Sequence, residues 1–406
     1  MKRVGITTLL LLVSSLTLSA CQAAPDEVKE AQKGYQENKQ IESVEVTYCN
    51  IEELEKSVEE AMKLQPDNMI LPKTVDFSQI KEVDTLTLEF QGDFLKNKEH
   101  AAEVFGCTGS DWKNATIENA GYEIWSLDNN EEKYFINVGD NGFVAAILPD
   151  VYDGFFGEDK TKVKKIYRVG RTADMQEECV LSGETTTIAE QVEFVNDWFQ
   201  NTWKWKEEGL DYQVRTVILR EDEENGEMLS MEVGKKYQGI VLDNCGGEME
   251  IDTTSGETKL LNIGTGFYTA QARKNSIDYF TSGQGAFDIK EAVKQETFID
   301  LASAVRLAEK ELSGFQKVTI SDIQIIYMLQ PVYENENANG DYTAPGKQVK
   351  GTPVYRFYID RVYEDIGFSG IDDSSLDYFI NVDMLTGEVS LNLSMAAYDT
   401  QGQEEK

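Results

Sequence analysis

Near the C-terminal end of the chain, residues 382–389 read Val-Asp-Met-Leu-Thr-Gly-Glu-Val, the order of a strand, a tight turn and a returning strand. Asp383 can accept hydrogen bonds from the backbone of the turn, and Gly387 can adopt a positive φ without steric cost. Apolar and polar residues alternate on both sides, as in strands with one buried face. This stretch predicts a β-hairpin over 383–389 with Gly387 at positive φ.

The same unit recurs earlier in the chain. Residues 251–258 read Ile-Asp-Thr-Thr-Ser-Gly-Glu-Thr, which predicts a second hairpin with Gly256 in the equivalent place. Residues 138–144 form a looser third copy, and the Tyr-Phe-Ile-Asn-Val of 134–138 is identical to that of 378–382. The spacing is uneven, which argues against a solenoid. Two interpretations stay open: diverged repeats, or independent convergence on common turn residues.

Helices are predicted at three places where a capping residue precedes an apolar stripe. Asn50 and Thr187 are each followed three residues later by a glutamate, the order of a capping box, and Asp300 precedes the third stripe. Most of the remaining chain alternates with period two. The predicted class is α+β, with two or three modules of antiparallel sheet, each covered by one or two helices.

The last of these modules combines the helix at 300–312, a strand at 320–330, the segment 352–358 (Thr-Pro-Val-Tyr-Arg-Phe-Tyr) and the closing hairpin. This order resembles PepSY-like modules and the related YycH/YycI regulatory proteins. Tyr355 stands where that family often has Trp, and the chain has Leu-Ser-Ala-Cys at 18–21, a pattern typical of a lipid anchor, in place of the family's membrane helix. The resemblance implies a PepSY/YycH-like fold and extracytoplasmic regulation or binding, and it provides no catalytic residues.

The N-terminus has the pattern of an export signal. Lys2 and Arg3 form a basic head, an apolar run follows, and residues 18–21 read Leu-Ser-Ala-Cys. This ending resembles the lipobox of bacterial lipoproteins, which implies that Cys21 is acylated and becomes the mature N-terminus. Each buried methylene of an acyl chain contributes about 0.8 kcal/mol, so two or three chains hold a protein firmly at a membrane. An ordinary secretory signal followed by an accidental cysteine is the alternative.

The predicted organisation has five parts. They are a lipoprotein signal peptide at 1–21, a flexible polar tether at 22–45, an N-terminal α+β module at 46–180, a middle α+β module at 181–290, and a C-terminal PepSY-like module at 291–400. The formal net charge of -35 argues against nucleic acid as a partner, because a polyanion would be repelled.

Catalytic and metal-binding motifs are sparse. His100 is the only histidine in the sequence, and without a nucleophile motif beside it we predict that it is a surface residue. The 73 acidic residues allow many carboxylate pairs, so no particular pair is favoured as a hydrolytic site. We predict no cofactor and no metal site. The densest aromatic cluster is predicted to be core, although such clusters also bind sugars and peptides; it comprises Trp198, Phe199, Trp203 and Trp205.

Four further cysteines lack the C-x-x-C spacing of zinc or redox sites, namely Cys49, Cys107, Cys179 and Cys245. An exported protein can join them in two disulfides, and a fold of this size can equally keep them as buried thiols. Both alternatives stay open, as does the oligomeric state.

The sequence therefore predicts a non-enzymatic, lipid-anchored binding or regulatory protein on the extracytoplasmic face of the cell membrane. Its expected partners are the membrane, through the anchor at Cys21, and an envelope protein or peptide. Two alternatives are a substrate-binding lipoprotein of a transporter and an envelope hydrolase that uses paired carboxylates.

Overall fold

The structure is a computed structural model that describes seventeen stretches of the chain. These are residues 44–90, 94–106, 113–116, 123–128, 135–139, 144–147, 161–170, 175–203, 209–222, 226–244, 249–252, 258–261, 266–282, 287–312, 317–336, 342–359 and 379–392. The predicted signal peptide at 1–21, with Cys21, and nearly all of the predicted tether at 22–45 lie outside them.

The described residues contain four α-helices, together with a 3-10 turn at Ile51–Glu53 and a π-helical turn at Phe199–Trp203. The helices are α1 (Leu54–Ala61), α2 (Phe94–Val104), α3 (Ile188–Trp198) and α4 (Leu301–Glu311). The strands are β1 (Tyr48–Cys49), β2 (Met69–Ile70), β3 (Asp84–Phe90), β4 (Lys113–Thr116), β5 (Glu123–Asp128), β6 (Phe135–Gly139), β7 (Val144–Ile147), β8 (Thr161–Arg168), β9 (Glu178–Leu181), β10 (Glu184–Thr187), β11 (Leu210–Asp222), β12 (Gly226–Tyr237), β13 (Ile240–Asn244), β14 (Met249–Asp252), β15 (Thr258–Leu261), β16 (Gly266–Gln271), β17 (Tyr279–Ser282), β18 (Phe287–Lys294), β19 (Phe298–Ile299), β20 (Val318–Glu336), β21 (Tyr342–Ile359), β22 (Phe379–Asp383) and β23 (Val389–Asn392).

Most strands belong to two sheets that share a connection. Sheet I is antiparallel, in the order β4-β5-β6-β7-β17-β16-β12-β11-β8. Sheet II is built on the long antiparallel pair β20 and β21. Along one part of β21 the next strands are β22 and then β23. Along another part of β21 the next strands are β3 and then β18. Strand β13 pairs with β12 and, in parallel, with β20. It therefore joins the two sheets.

Each sheet has its own hydrophobic core. The sheet I core lies under α2 and α3 and includes Val138, Val195 and Phe280. The sheet II core lies under α1 and α4 and draws on both ends of the described chain, from Leu54 to Val382. Residues on this inner face alternate with outward residues along β21: Tyr355 and Phe357 are in the core, whereas Arg356 between them points to the other face. This outer face of sheet II carries Arg356 together with a small apolar cluster of Ile326, Met328 and Val354.

The predicted α+β class, with helix-covered PepSY/YycH-like modules, is wrong. The chain is mostly β-sheet, with large sheets and four α-helices among the described residues. The strands of a sheet also come from distant parts of the sequence, since β1 pairs with β19, β2 with β20 and β3 with β18. Alternation predicts that a segment is a strand but not which strand it pairs with. The prediction therefore assigned segments that follow each other in the sequence to one module, although they do not all pair with each other.

The three predicted helix starts are confirmed. Asn50 and Thr187 each form a complete capping box with the glutamate three residues on, although the first turn after Asn50 is 3-10. The Asp300 side chain accepts a hydrogen bond from the Ser303 backbone N–H. These contacts satisfy backbone donors that have no partner within the helix.

The hairpin between β22 and β23 is also confirmed, with Gly387 at φ 74°. The Asp383 carboxylate accepts backbone hydrogen bonds from Leu385 at 2.7 Å and Thr386 at 2.9 Å. A β-carbon at Gly387 would lie 3.1 Å from the Ile299 side chain and 3.2 Å from Leu307 of α4. The turn of the hairpin therefore packs against α4.

Strands β14 and β15 pair as the second hairpin requires, with Asp252 opposite Thr258. Gly256 lies outside the described residues, as does Tyr378 of the closing hairpin. The domain boundaries predicted at 180/181 and 290/291 stay a prediction. Within the described part of the chain, no helix has the length and apolar character needed to cross a membrane.

Candidate functional site

Arg215 is displaced from the regular alternation of β11 by a β-bulge. Val214 pairs with Val233 and Thr216 pairs with Glu232, which leaves Arg215 as the extra residue of the strand. The Arg215 carbonyl accepts a hydrogen bond from the Val169 backbone N–H at 2.8 Å. A bulge redirects the side chain of its extra residue, and here it directs Arg215 toward the strands that join the two sheets.

The Arg215 side chain crosses β12 at a glycine. A β-carbon at Gly234 would lie 2.3 Å from the Arg215 Cδ atom and 3.0 Å from its Cγ atom. Real β-carbons do not approach other atoms so closely, so a larger residue at Gly234 and the observed Arg215 conformation exclude each other. The sequence combines a bulge on one strand with a glycine on its neighbour to place one guanidinium group.

Asp243 of β13 accepts hydrogen bonds from two arginines, one from each sheet. Its Oδ2 atom lies 2.9 Å from Arg215 Nη2 and 2.6 Å from Arg356 Nη1. We call Arg215, Asp243 and Arg356 the charged joint. Charge-assisted hydrogen bonds of this length are among the stronger polar contacts in proteins, so the joint ties sheet I, β13 and sheet II together.

Arg356 is 1% exposed and is held on three sides. Its Nε atom donates to Asn381 Oδ1 at 2.9 Å, and its guanidinium carbon lies 3.7 Å from the centroid of the Phe379 ring. A planar guanidinium group can stack on a ring and donate at its edge simultaneously, which a lysine cannot do. The joint is therefore specific to arginine at this position.

On the sheet I side of the charged joint, the Arg215 side chain is more exposed than that of Arg356. Arg215 Nη1 lies 3.7 Å from Glu232 Oε1, and the Glu232 carboxylate accepts from Thr216, which in turn accepts from Arg168 Nη1 at 2.9 Å. Neighbouring carboxylates outweigh burial and raise the pKa of Arg215 well above its ordinary value, although burial opposes this. Arg215 therefore stays charged, and the joint acts as a fixed electrostatic contact and not as a proton donor.

His100 differs from its predicted surface position. Its side chain is half-buried, and its ring meets Trp203 edge-on with the centroids 4.9 Å apart. Burial lowers the pKa of His100, while a backbone hydrogen bond at Trp203 and the charge of Glu103 oppose the change. The surface prediction fails because His100 lies on the side of α2 that faces the sheet I core.

The aromatic cluster is core, as predicted, for the members that the structure describes. Phe199 and Trp203 are fully buried, and Trp198 packs against them. Trp205 lies outside the described residues. The described members of the cluster therefore pack in the sheet I core and do not form an open aromatic surface for ligand binding.

Cys49 and Cys179 are free, buried thiols. Burial is the main cause that raises the pKa of Cys49 to about 12 and of Cys179 to about 11, and nearby carboxylates add to it. A thiol reacts through its thiolate, so both are inert at neutral pH. Cys107 and Cys245 lie outside the described residues. Within those residues, no group of three or more His, Cys, Asp or Glu side chains is arranged to hold a metal ion.

Sequence reasoning missed all three residues of the charged joint. The available signal was a charged residue within each of three strands, in the stretches Val-Arg-Thr (214–216), Leu-Asp-Asn (242–244) and Tyr-Arg-Phe (355–357). Such residues alternate with buried neighbours and read as solvent-facing positions of a half-exposed strand. Only the pairing of β13 with β20 reveals that they converge.

Comparisons with known proteins give little more. No family model matches the chain, and no curated protein matches it. Among solved structures, the chain is similar to an uncharacterized protein from Eubacterium rectale ATCC 33656, with 14% sequence identity and a TM-score of 0.47, over 83% of this chain and 98% of that one.

Proposed function

We propose that this chain is a lipid-anchored binding or regulatory protein of the cell envelope, located on the extracytoplasmic face of the membrane and without catalytic chemistry. The observation that carries the proposal is the sequence of residues 1–21, with its basic head, apolar run and Leu-Ser-Ala-Cys ending. Acyl chains on Cys21 hold the folded part at the membrane, and the polar residues that follow act as its tether.

The folded part supports a role in binding. Large sheets tied by an arginine–carboxylate contact present extended, well-defined surfaces, which suit recognition of a protein or peptide. The net charge of -35 keeps such a surface solvated and favours partners that carry basic segments. An envelope protein or peptide of that kind is the partner we propose.

The reactive groups that the structure describes support a non-catalytic role. The thiols of Cys49 and Cys179 are held protonated by burial, and His100 packs against Trp203. The charged residues of the joint bind each other. These groups stabilise the folded structure. An envelope hydrolase would instead need a pair of carboxylates on the two sides of a gap of about 5–10 Å, in which a sugar ring fits.

A role as the substrate-binding lipoprotein of a transporter is less favoured. Such a protein is expected to alternate strands and helices in parallel βαβ units. Here the pairings of sheet I are antiparallel, and parallel pairing is confined to β13 and β2 against β20 among the described strands.

The anchor is tested by replacing Cys21 with Ala and comparing it with Ser14→Ala, a change that keeps the apolar run of the signal. We expect the Cys21→Ala protein to leave the washed membrane fraction or to remain unprocessed, whereas Ser14→Ala stays membrane-bound and has a mature N-terminus that carries acyl chains. Mass spectrometry of the mature N-terminus gives the second readout. A correctly cleaved Cys21→Ala protein that still resists a salt wash would contradict the proposal.

The binding role is tested separately by cross-linking in intact cells. We expect the wild-type protein to give a reproducible cross-linked partner, and purified, folded protein to bind that partner directly in a calorimetric titration. An anchored, folded protein that yields no specific cross-link and no direct binding would argue against a binding role while leaving the anchor intact.

A further inference from the structure

Strand β23 ends sheet II on the side of β22. Within the described residues it pairs with β22 alone, in a register without a bulge. At the turn, the Asp383 backbone N–H donates to the Glu388 carbonyl at 2.9 Å. Hydrogen-bonded and non-hydrogen-bonded pairs alternate along an antiparallel ladder, so the N–H and C=O groups of Val389 and Leu391 point away from β22. They form an edge to which another strand can pair, which we call the open edge.

Two other terminal strands carry features that oppose such pairing. Lys164 is the extra residue of a bulge in β8, and Lys290 is the extra residue of a bulge in β18. Both side chains are exposed and form ion pairs with neighbouring carboxylates. A bulge twists an edge strand away from an incoming strand, and a lysine there resists burial. The edges of β8 and β18 are therefore protected.

The open edge of β23 has neither feature. Its sequence at 389–392 is Val-Ser-Leu-Asn, without charge or proline, in a chain whose net charge is -35. The side chains of Val389 and Leu391 are only partly buried against the sheet II core, and so is that of Leu307 of α4. A strand that paired here would cover this apolar surface if it were uncharged and carried apolar residues at alternate positions.

We propose that the strand that pairs with the open edge is β23 of a second copy of this chain, antiparallel and related by a two-fold axis at Ser390. In this register Val389 of each copy lies opposite Leu391 of the other, so their outward N–H and C=O groups bond to each other. The apolar side chains of both strands then lie on one face, beside the two α4 helices. An edge that complements itself in this way is what a two-fold dimer requires.

Electrostatics favour self-association at this edge. Two copies with a net charge of -35 each repel one another, and β23 adds no pair of like charges, since Glu388 of one copy lies opposite Asn392 of the other. Salt reduces the range of the repulsion from about 10 Å at 0.1 M to about 3 Å at 1 M, so the dimer should strengthen with salt. An interface built on a four-residue strand is small, and the dimer is therefore reversible.

The test places one cysteine on the two-fold axis. Ser390 is exposed, and in the dimer the two copies of it form a non-hydrogen-bonded pair with Cα atoms about 4.5 Å apart, within disulfide range. Cells producing the full chain with Ser390→Cys are fractionated and treated with copper phenanthroline, and the covalent homodimer is measured by non-reducing electrophoresis. We expect more homodimer than in the wild type, and an increase from about 0.05 M to about 0.5 M NaCl.

Glu388→Cys is the matched control. In the dimer the two copies of residue 388 are offset by four residues, about 14 Å along the strands, which is too far for a disulfide. This variant should give no more homodimer than the wild type. A second comparison uses added charge: Ser390→Lys should reduce the dimer fraction in sedimentation velocity about tenfold or more, because two lysines meet at the axis. Val293→Lys, at an exposed position of β18, should leave it unchanged, and circular dichroism checks that both variants fold.

Three outcomes would overturn the proposal. Homodimer from Ser390→Cys that does not exceed that from Glu388→Cys would exclude the two-fold pairing. A disulfide from Cys at 390 to a different protein would assign the open edge to a partner strand. Slow exchange of the Val389 and Leu391 amides in a monomer would assign it to another segment of the same chain. The homodimer is counted in membrane and medium fractions alike, so this inference and the proposed lipid anchor fail independently.

Discussion

The Arg215 guanidinium group and the Asp243 carboxylate form an ion pair, Nη2 to Oδ2 at 2.9 Å, that a β-bulge and a glycine make possible. The bulge aims Arg215 across β12, and Gly234 leaves the space that the side chain crosses. Arg356 reaches the same Asp243 oxygen from sheet II at 2.6 Å. A single carboxylate therefore holds an arginine from each sheet.

Replacing Gly234 with Ala should displace Arg215 from Asp243. The new β-carbon would overlap the Arg215 Cδ atom, so either the side chain moves and loses the ion pair or the strands separate. We expect a loss of about 1–3 kcal/mol in the free energy of unfolding, measured by urea denaturation. Ser230→Ala, on the same strand, should change it by less than about 0.5 kcal/mol.

The cause of that loss can be isolated with the double variant Gly234→Ala/Arg215→Ala. Removing the arginine removes the overlap, so the two changes should not be additive: the double variant should be about as stable as Arg215→Ala alone. Strict additivity of the two single effects would contradict the steric explanation.

Replacing Arg356 should be more costly than replacing Arg215, because Arg356 is fully buried. Arg356→Met removes one of the two positive charges that Asp243 binds, together with the contacts to Asn381 and Phe379, and should cost about 1.5–3 kcal/mol in the free energy of unfolding. Arg356→Lys keeps the charge but cannot both stack on Phe379 and donate to Asn381, so it should recover only part of this loss. Full recovery by lysine would show that charge alone matters here.

Gly387 is required both for its positive φ and for its lack of a β-carbon, and different substitutions test these two requirements separately. Its φ of 74° disfavours β-branched residues, and a β-carbon there would crowd Ile299 and Leu307. Gly387→Val should destabilise the protein by more than about 1 kcal/mol in thermal or urea unfolding. Gly387→Asn tolerates the positive φ but still adds the β-carbon, so its cost should be smaller and not zero. Equal stability of both variants and wild type would exclude the packing of this turn against α4.

Local features of the fold could be predicted from the sequence, whereas long-range features could not. The caps at Asn50, Thr187 and Asp300 and the turn at Gly387 depend on residues within a few positions of each other, and all four are confirmed. The pairing of β3 with β18 joins residues about two hundred positions apart, and the alternation of apolar and polar residues does not indicate this pairing. The fold class was wrong for this reason.

The charged joint was missed for a related cause. A bulge is invisible in a sequence until the partner strand is known, because one extra residue shifts the pattern only relative to that partner. Arg215 therefore reads as an ordinary exposed position of β11. Asp84 was hidden among 73 acidic residues, and only its burial distinguishes it.

The stability of the protein should fall with rising pH over a window set by Asp84. Its pKa is raised in the folded state above the ordinary value of 3.8, so the folded protein binds more protons than the unfolded chain within that window. Unfolding free energy decreases with pH wherever the folded state holds the extra proton. The contribution is complete below pH 3.8 and is lost as pH rises through the folded value of the Asp84 pKa.

Asp84→Asn removes this titration, so its unfolding free energy should exceed that of the wild type by an increasing margin as pH rises through the window and then by a constant one. Urea denaturation at intervals from pH 3.5 to pH 8 measures both curves, with Glu291→Gln, a change at an exposed residue of β18, as the control. The difference between Asp84→Asn and wild type should be smallest at the acid end, because there the wild-type carboxyl is also neutral. A difference that is largest at acid pH would mean that the folded state favours ionised Asp84, the opposite of what its burial beside Glu82 requires.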